Sequence, residues 1–347
     1  MRISIVLVIL LFWSGFIWAQ SERYIFTFDF EGVSLEGILS IPSDKIPKGI
    51  VLVVHGDGKT NAVKEDWYAD VRSTFDRCGY ATFMWDKMGC GNSEGTFDFN
   101  QSVQSSAKEV ISAIRALQEA QINGSERIGL WGISRAGWIN PLVINEYKDI
   151  AFWISVSGVD GKESFKYLFE QNLRLGGLPI DSIQLLLSEW QKGVEITYSG
   201  GTYASYLEAT PNLRKNAFLA RFNQGRIWEE SDYLNYQEEC GTRRLDEESG
   251  LPIYVEGFEN LLTKVECPVL ALFAQKDRHV DWQKTEDLYA KTLKKYTDYS
   301  TMEFPDCNHN FFKAKTGGFF EFEDDGLPWE RCDGFLESME EWIKALD

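Results

Sequence analysis

Residues Arg127-Ile128-Gly129-Leu130-Trp131 form a short β-rich run that leads into Gly132-Ile133-Ser134-Arg135-Ala136 and then into a helical pattern reaching Tyr147. A strand that turns directly into a helix brings backbone against backbone, so the positions two before and two after the apex must be small. Gly132 and Ala136 meet this condition, with Ala standing where the G-x-S-x-G pattern has its second Gly. Such a turn holds the Ser134 oxygen exposed above the strand ends. The N–H groups of the following helix stabilise negative charge beside it. Ser134 is therefore the candidate nucleophile; the alternative is a serine that only caps the helix.

The rest of the chain supplies the sheet that this turn needs. Tyr24–Phe30 and Val33–Ile41 alternate apolar and polar residues around Glu31-Gly32, the pattern of an antiparallel hairpin. Ile50–Val54, Ala81–Trp85, Ala151–Val156, Val269–Phe273 and Ser300–Phe304 are short β-rich runs, mostly unbroken apolar as in strands buried on both faces of a parallel sheet. Helical stretches at Lys64–Arg77, Ser102–Gln121 and Arg135–Tyr147 alternate with them, and a last helix spans Gly334–Leu346. Together these predict an α/β fold: a mostly parallel, doubly wound sheet with right-handed crossovers and an N-terminal antiparallel hairpin. From about Gly161 to Leu262 no buried strand run occurs and the pattern is helical and charged, punctuated by Gly176-Gly177 and Gly200-Gly201. A structureless loop of that length does not suit a compact domain. The expected organisation is a core of residues 20–160 and 263–347 with a helical cap, 161–262, inserted in it.

Composition narrows the partners. The net charge of −18 repels nucleic-acid backbones and anionic membrane surfaces, while 44% hydrophobic and 14% aromatic residues argue for a packed core and against an acidic disordered chain. At the N-terminus, Arg2 precedes an apolar run from Ile3 to Trp13, and Ala19 is followed by Gln20-Ser21-Glu22-Arg23. This reads as a signal peptide, residues 1–19, cut after Ala19, which predicts a secreted or periplasmic protein with no stable span in the mature chain. Six Cys remain, Cys78, Cys90, Cys240, Cys267, Cys307 and Cys332, and the expectation is some disulfides and some buried thiols. None forms a CxxC pair and the three His are scattered, so no metal site is expected.

A serine nucleophile needs a base, and the candidates are His55, His279 and His309. His309 lies in Pro305-Asp306-Cys307-Asn308-His309-Asn310, just past the last strand, where a loop can carry an imidazole over the sheet; it is the candidate base. Asp277, at the end of the run from Val269, is the candidate orienting acid, with Asp160 as the alternative. His55-Gly56-Asp57-Gly58 follows the run Ile50–Val54 directly, and this loop reads as the oxyanion loop, a surface turn being the alternative. The backbone N–H groups of Asp57 and Arg135 are the expected oxyanion donors. His279 then reads as a pocket-rim or structural residue.

Taken together, these residues resemble the α/β-hydrolase superfamily, in particular secreted bacterial esterases related to serine aminopeptidases and dipeptidyl-peptidase-like hydrolases. The resemblance covers about Gly49–Gly158 and Glu266–Leu346. Asp86-Lys87-Met88-Gly89-Cys90-Gly91-Asn92-Ser93-Glu94-Gly95 is similar to the family's D-x-R-G-x-G-x-S-x-G loop, with Met88 where the family has Arg. Gly137-Trp138-Ile139-Asn140-Pro141-Leu142 is similar to the helix after its serine. The resemblance implies an α/β-hydrolase fold and ester hydrolysis through an acyl-enzyme, with a small ester or short peptide as substrate and no cofactor. Peptidase activity is the second reading, and a non-catalytic binding protein on the same shell is the third. The acyl group, the alcohol and the oligomeric state are not legible in the residues.

Overall fold

Every residue of Ile50–Val54 (β3), Ala81–Trp85 (β4) and Ile128–Ile133 (β5) is buried, as is every residue of Val269–Ala274 (β7). Strands buried at every position are covered on both faces, and the fold is built around that need. In this computed structural model, which describes residues 21–162, 165–223, 229–241, 245 and 254–346, one eight-stranded sheet runs in the order β1-β2-β4-β3-β5-β6-β7-β8. The remaining strands are β1 (Glu22–Phe30), β2 (Val33–Ile41), β6 (Ile150–Val156) and β8 (Tyr299–Phe304). β1 and β2 pair antiparallel from Glu22 opposite Ile41 to Phe30 opposite Val33, and β2 pairs antiparallel with β4. All other neighbours are parallel.

The strand period of two divides the core. Leu52, Val54, Leu130 and Trp153 face one side, where they pack under α2 (Val103–Glu119) and α3 (Ala136–Glu146). Val51, Val53, Trp131 and Ile154 face the other, under α1 (Ala69–Cys78) and the C-terminal helix Phe335–Leu346. The sheet and helices follow the sequence reading closely. One helix starts later than its pattern suggests: Asp66 and Tyr68 both adopt φ +54°, a left-handed conformation that ends helical propagation, so α1 begins at Ala69.

Between β6 and β7 the described chain is helical: α4 (Phe165–Leu175), α5 (Ile180–Tyr198), α6 (Tyr203–Ala209), α7 (Ala217–Phe222), α8 (Glu230–Cys240) and α9 (Phe258–Leu262). Leu168, Phe169, Leu173, Ile183, Leu186 and Leu219 form a small apolar core of their own within this segment. Helix α10 (Trp282–Thr292) follows β7; α11 (Glu321–Asp325) and α12 (Phe335–Leu346) close the chain. The predicted signal peptide lies outside the described residues.

Candidate active site

Ser134 stands at the junction of β5 and α3 with φ +58°. A non-glycine residue held there is strained by roughly 1–2 kcal/mol, so the surroundings must enforce it. They do so by close packing. A Cβ on Gly132 would sit 2.6 Å from the Ala136 Cβ, which explains both small residues. The Ser134 N–H donates to the Val156 carbonyl at 3.0 Å, pinning the turn to β6. Helix α3 has Arg135 as its N-cap residue and no side-chain cap hydrogen bond, so the Ser134 hydroxyl is not the cap.

The carboxylate of Asp277 is fully buried just beyond β7, and His309 lies just beyond the adjacent β8. His309 Nδ1 meets Asp277 Oδ2 at 2.7 Å. The other Asp277 oxygen accepts the backbone N–H groups of His279 at 2.8 Å and Val280 at 3.0 Å. Burial by itself would raise this carboxyl, but the charge and hydrogen bond of His309, with His279 and the Val280 N–H, hold it below its ordinary value. An ionised Asp277 accepts a hydrogen bond from the Nδ1–H of His309, which leaves the Nε2 lone pair free. The His309 carbonyl accepts the Ser157 hydroxyl at 2.8 Å, which ties the loop to the end of β6. Asp160 is engaged elsewhere: its Oδ1 accepts the Lys162 N–H at 2.6 Å and lies 3.3 Å from the Lys284 ammonium.

The loop after β3 packs directly on the serine, since a Cβ on Gly56 would lie 3.1 Å from the Ser134 Cβ. His55 is buried below it. Its Nε2 donates to the Trp85 carbonyl at 2.8 Å, and its pKa is pushed down to about 3 by burial and then by the charge of Lys87. His55 is thus a neutral strut of the loop. Gly58 takes φ +83°, turning the chain away, and Asp57 Oδ1 pairs with Arg135 Nη1 at 3.4 Å.

Residues 45–191 match the family model for serine aminopeptidase, S33, and residues 254–339 match the model for the dienelactone hydrolase family. The chain carries the α/β-hydrolase fold. Solved structures agree with this hydrolase in fold at low identity. An esterase of Pyrococcus furiosus aligns with TM-score 0.56 at 13% identity over 94% of this chain and 93% of its own. The proline iminopeptidase of Mycobacterium smegmatis gives 0.53 at 15%, covering 93% and 98%. Est1E of Butyrivibrio proteoclasticus, solved with ferulic acid, gives 0.50 at 16%, covering 92% and 96%. No curated protein sequence matches.

Ser134, His309, His55, Asp57 and Arg135 of the hydrolase all line one cavity of about 910 Å³, large for a ligand site. Its far wall comes from the helices between β6 and β7 and from the loop before α11. His279 stacks on His309 with ring centroids 4.6 Å apart, and Phe319 stacks on His279 at 4.9 Å. Burial and the neighbouring His309 push the His279 pKa down to about 3. Sequence reading assigned no part to Lys87, Ser157 or Phe319. Lys87 alone carried a signal, as a lysine inside the D-x-R-G-like loop. Among the described residues, no cluster of side chains could hold a metal ion and no helix is long and apolar enough to cross a membrane.

Proposed function

We propose that this hydrolase cleaves carboxylic esters through an acyl-enzyme on Ser134. The observation that carries the reading is the buried 2.7 Å pair of His309 and Asp277 opening, with the strained Ser134, into one cavity. In this mechanism His309 Nε2 takes the hydroxyl proton as Ser134 Oγ attacks the ester carbonyl carbon. The carbonyl oxygen becomes an oxyanion held by the N–H groups of Asp57 and Arg135. The C–O bond to the alcohol then breaks, and the imidazolium returns its proton to the leaving oxygen. Water, deprotonated by the same imidazole, releases the acid and restores Ser134. Asp277 fixes the imidazole tautomer and stabilises the imidazolium.

Peptide hydrolysis is the second reading, favoured by the serine aminopeptidase match over residues 45–191. The segment 161–262 acts as a cap over the site, supported by its own apolar core and by its aromatic side chains in the cavity wall. Export from the cytoplasm is supported by the Cys307–Cys332 disulfide, since such bonds persist in oxidising compartments.

The test is turnover of p-nitrophenyl esters from acetate to decanoate, beside a panel of aminoacyl p-nitroanilides, by the wild-type protein and by Ser134→Ala. Ester turnover lost in the variant supports the reading. Turnover of anilides alone moves the peptidase to the front, and no Ser134-dependent turnover of either panel leaves a binding protein.

A further inference from the structure

Aromatic rings run without a break from the base into the cap. Beyond His309, His279 and Phe319, the Phe222 ring lies 5.0 Å from Phe319, Phe169 lies 5.0 Å from Phe222, and Trp190 lies 5.3 Å from Phe169. All of these rings border the cavity. Phe319 remains 37% exposed, an apolar surface left uncovered in the cavity that Ser134 also lines. The charged side chains in the described lining come in opposite pairs. Asp57 faces Arg135 at 3.4 Å, and Glu323 meets Arg221 at 2.6 Å. Such pairs leave little field to anchor a charged substrate end, whereas the ring faces reward flat apolar groups.

We infer that the substrate is an ester bearing a large, uncharged, aromatic or similarly apolar group that packs along Phe319, Phe222 and Phe169. This rests on the ester reading above. The experiment compares p-nitrophenyl 3-(2-naphthyl)propanoate with p-nitrophenyl acetate on the acyl side, and 2-naphthyl acetate with phenyl acetate, whose leaving group is of similar acidity, on the alcohol side. A p-nitrophenyl hemisuccinate arm tests charge. At least one bulky ester should exceed its small counterpart more than tenfold in kcat/KM, and Phe222→Ala should reduce that ratio several-fold. Equal or better turnover of both small esters, or preference for the hemisuccinate, overturns the inference and leaves the ester reading standing. Binding of 2-acetonaphthone to Ser134→Ala, followed by tryptophan fluorescence, tests the cavity even if no ester is cleaved. Saturation at micromolar concentration, weakened by Phe222→Ala, supports the inference, and its absence sinks it.

A second, independent observation concerns the loop after β3. Lys87 Nζ donates to the Gly56 carbonyl at 2.6 Å and to the Gly58 carbonyl at 2.8 Å. The peptide joining Gly56 to Asp57 is trans, so its C=O and N–H point to opposite sides. Holding the carbonyl on the Lys87 side aims the Asp57 N–H the other way. A flip of that peptide would instead turn a carbonyl lone pair toward the developing oxyanion. We propose that Lys87 is a positioning residue that sets the oxyanion donor by clamping the Gly56 and Gly58 carbonyls. This also presumes acyl transfer at Ser134.

Lys87→Met should lower kcat about 100-fold with KM changed less than threefold, because the lost interaction strengthens only in the transition state. Its affinity for a trifluoromethyl ketone, whose Ser134 adduct carries an oxyanion, should fall in parallel. Lys87→Gln, which keeps an N–H donor, should recover part of both. Unchanged kcat and ketone affinity in Lys87→Met overturn the proposal, as does lower thermal stability with ketone affinity intact. A wild-type protein that forms no ketone adduct sinks the acyl-transfer reading itself.

Discussion

Asp277 presents its two oxygens to different partners: Oδ1 accepts the N–H groups of His279 and Val280, and Oδ2 meets His309 Nδ1. This division decides what Asp277→Asn does. The asparagine oxygen must replace Oδ1, since backbone N–H groups face it, so the amide NH2 faces His309. Nδ1 then becomes the acceptor, the ring proton moves to Nε2, and the Nε2 lone pair that the proposed mechanism uses is lost. We expect kcat to fall about 10³–10⁴-fold with KM little changed, as measured by steady-state ester hydrolysis. A decline under tenfold would remove Asp277 from the mechanism.

Ser134→Gly separates strain from chemistry. Glycine accepts φ +58° without a Cβ clash, so the variant should unfold at higher denaturant, by roughly 1 kcal/mol, while losing turnover. Ser134→Ala keeps the clash and should lose turnover without gaining as much stability. Equal stabilities for the two variants would show that the turn stores no strain.

Acid should destabilise the protein well above the carboxylate range. His55 and His279 are both held neutral in the folded state, with pKa values of about 3, mainly by burial, against 6.5 when unfolded. Below 6.5 the unfolded chain therefore binds protons that the folded chain refuses. Stability is full above 6.5 and falls as pH drops toward 3, by at most about 1.4 kcal/mol per pH unit for each histidine. Asp277 has the same sign of linkage in a lower window: its depressed pKa contributes stability that is present above 3.8 and lost only as pH falls below that value. Urea unfolding from pH 7 to 4 reads the slope, and His279→Phe should roughly halve it. A flat profile would contradict histidines held neutral in the folded state.

The Cys307–Cys332 disulfide brackets the segment that carries His309, with a sequence separation of 25. Beside it, Asn308 Oδ1 accepts the N–H groups of Asn310 at 3.1 Å and Phe312 at 3.0 Å. Replacing both cysteines with serine should cost about 3 kcal/mol by chain entropy. It should also lower kcat several-fold as the base loses its anchorage. Chemical denaturation and kinetics of the double variant check this, and undiminished kcat would show that the Asn308 turn alone holds His309.

The strands were legible because burial on both faces demands unbroken apolar runs, and their boundaries agree with the sequence reading to within about two residues. Ser134 was legible because close packing at a strand-to-helix turn excludes a Cβ at position 132 and anything large at 136. Lys87 and Ser157 were harder to see. Their roles are bonds to carbonyls, 2.6 Å to Gly56 and 2.8 Å to His309, and a carbonyl is present at every residue. Nothing in composition or spacing marks which carbonyl a side chain will reach.

The same contrast divides the protein as a whole. Its sequence determined by itself the α/β layering, the order of strands and helices, and the strained turn at Ser134, because each follows from local period, residue size and backbone sterics. Only the tertiary structure decided that Asp277 rather than Asp160 meets His309, that His279 stacks against that ring, and that aromatic residues from separate helices and a late loop share one wall. These are contacts between segments distant along the chain. They depend on where packing brings side chains together, to within an ångström, and no linear pattern carries that information.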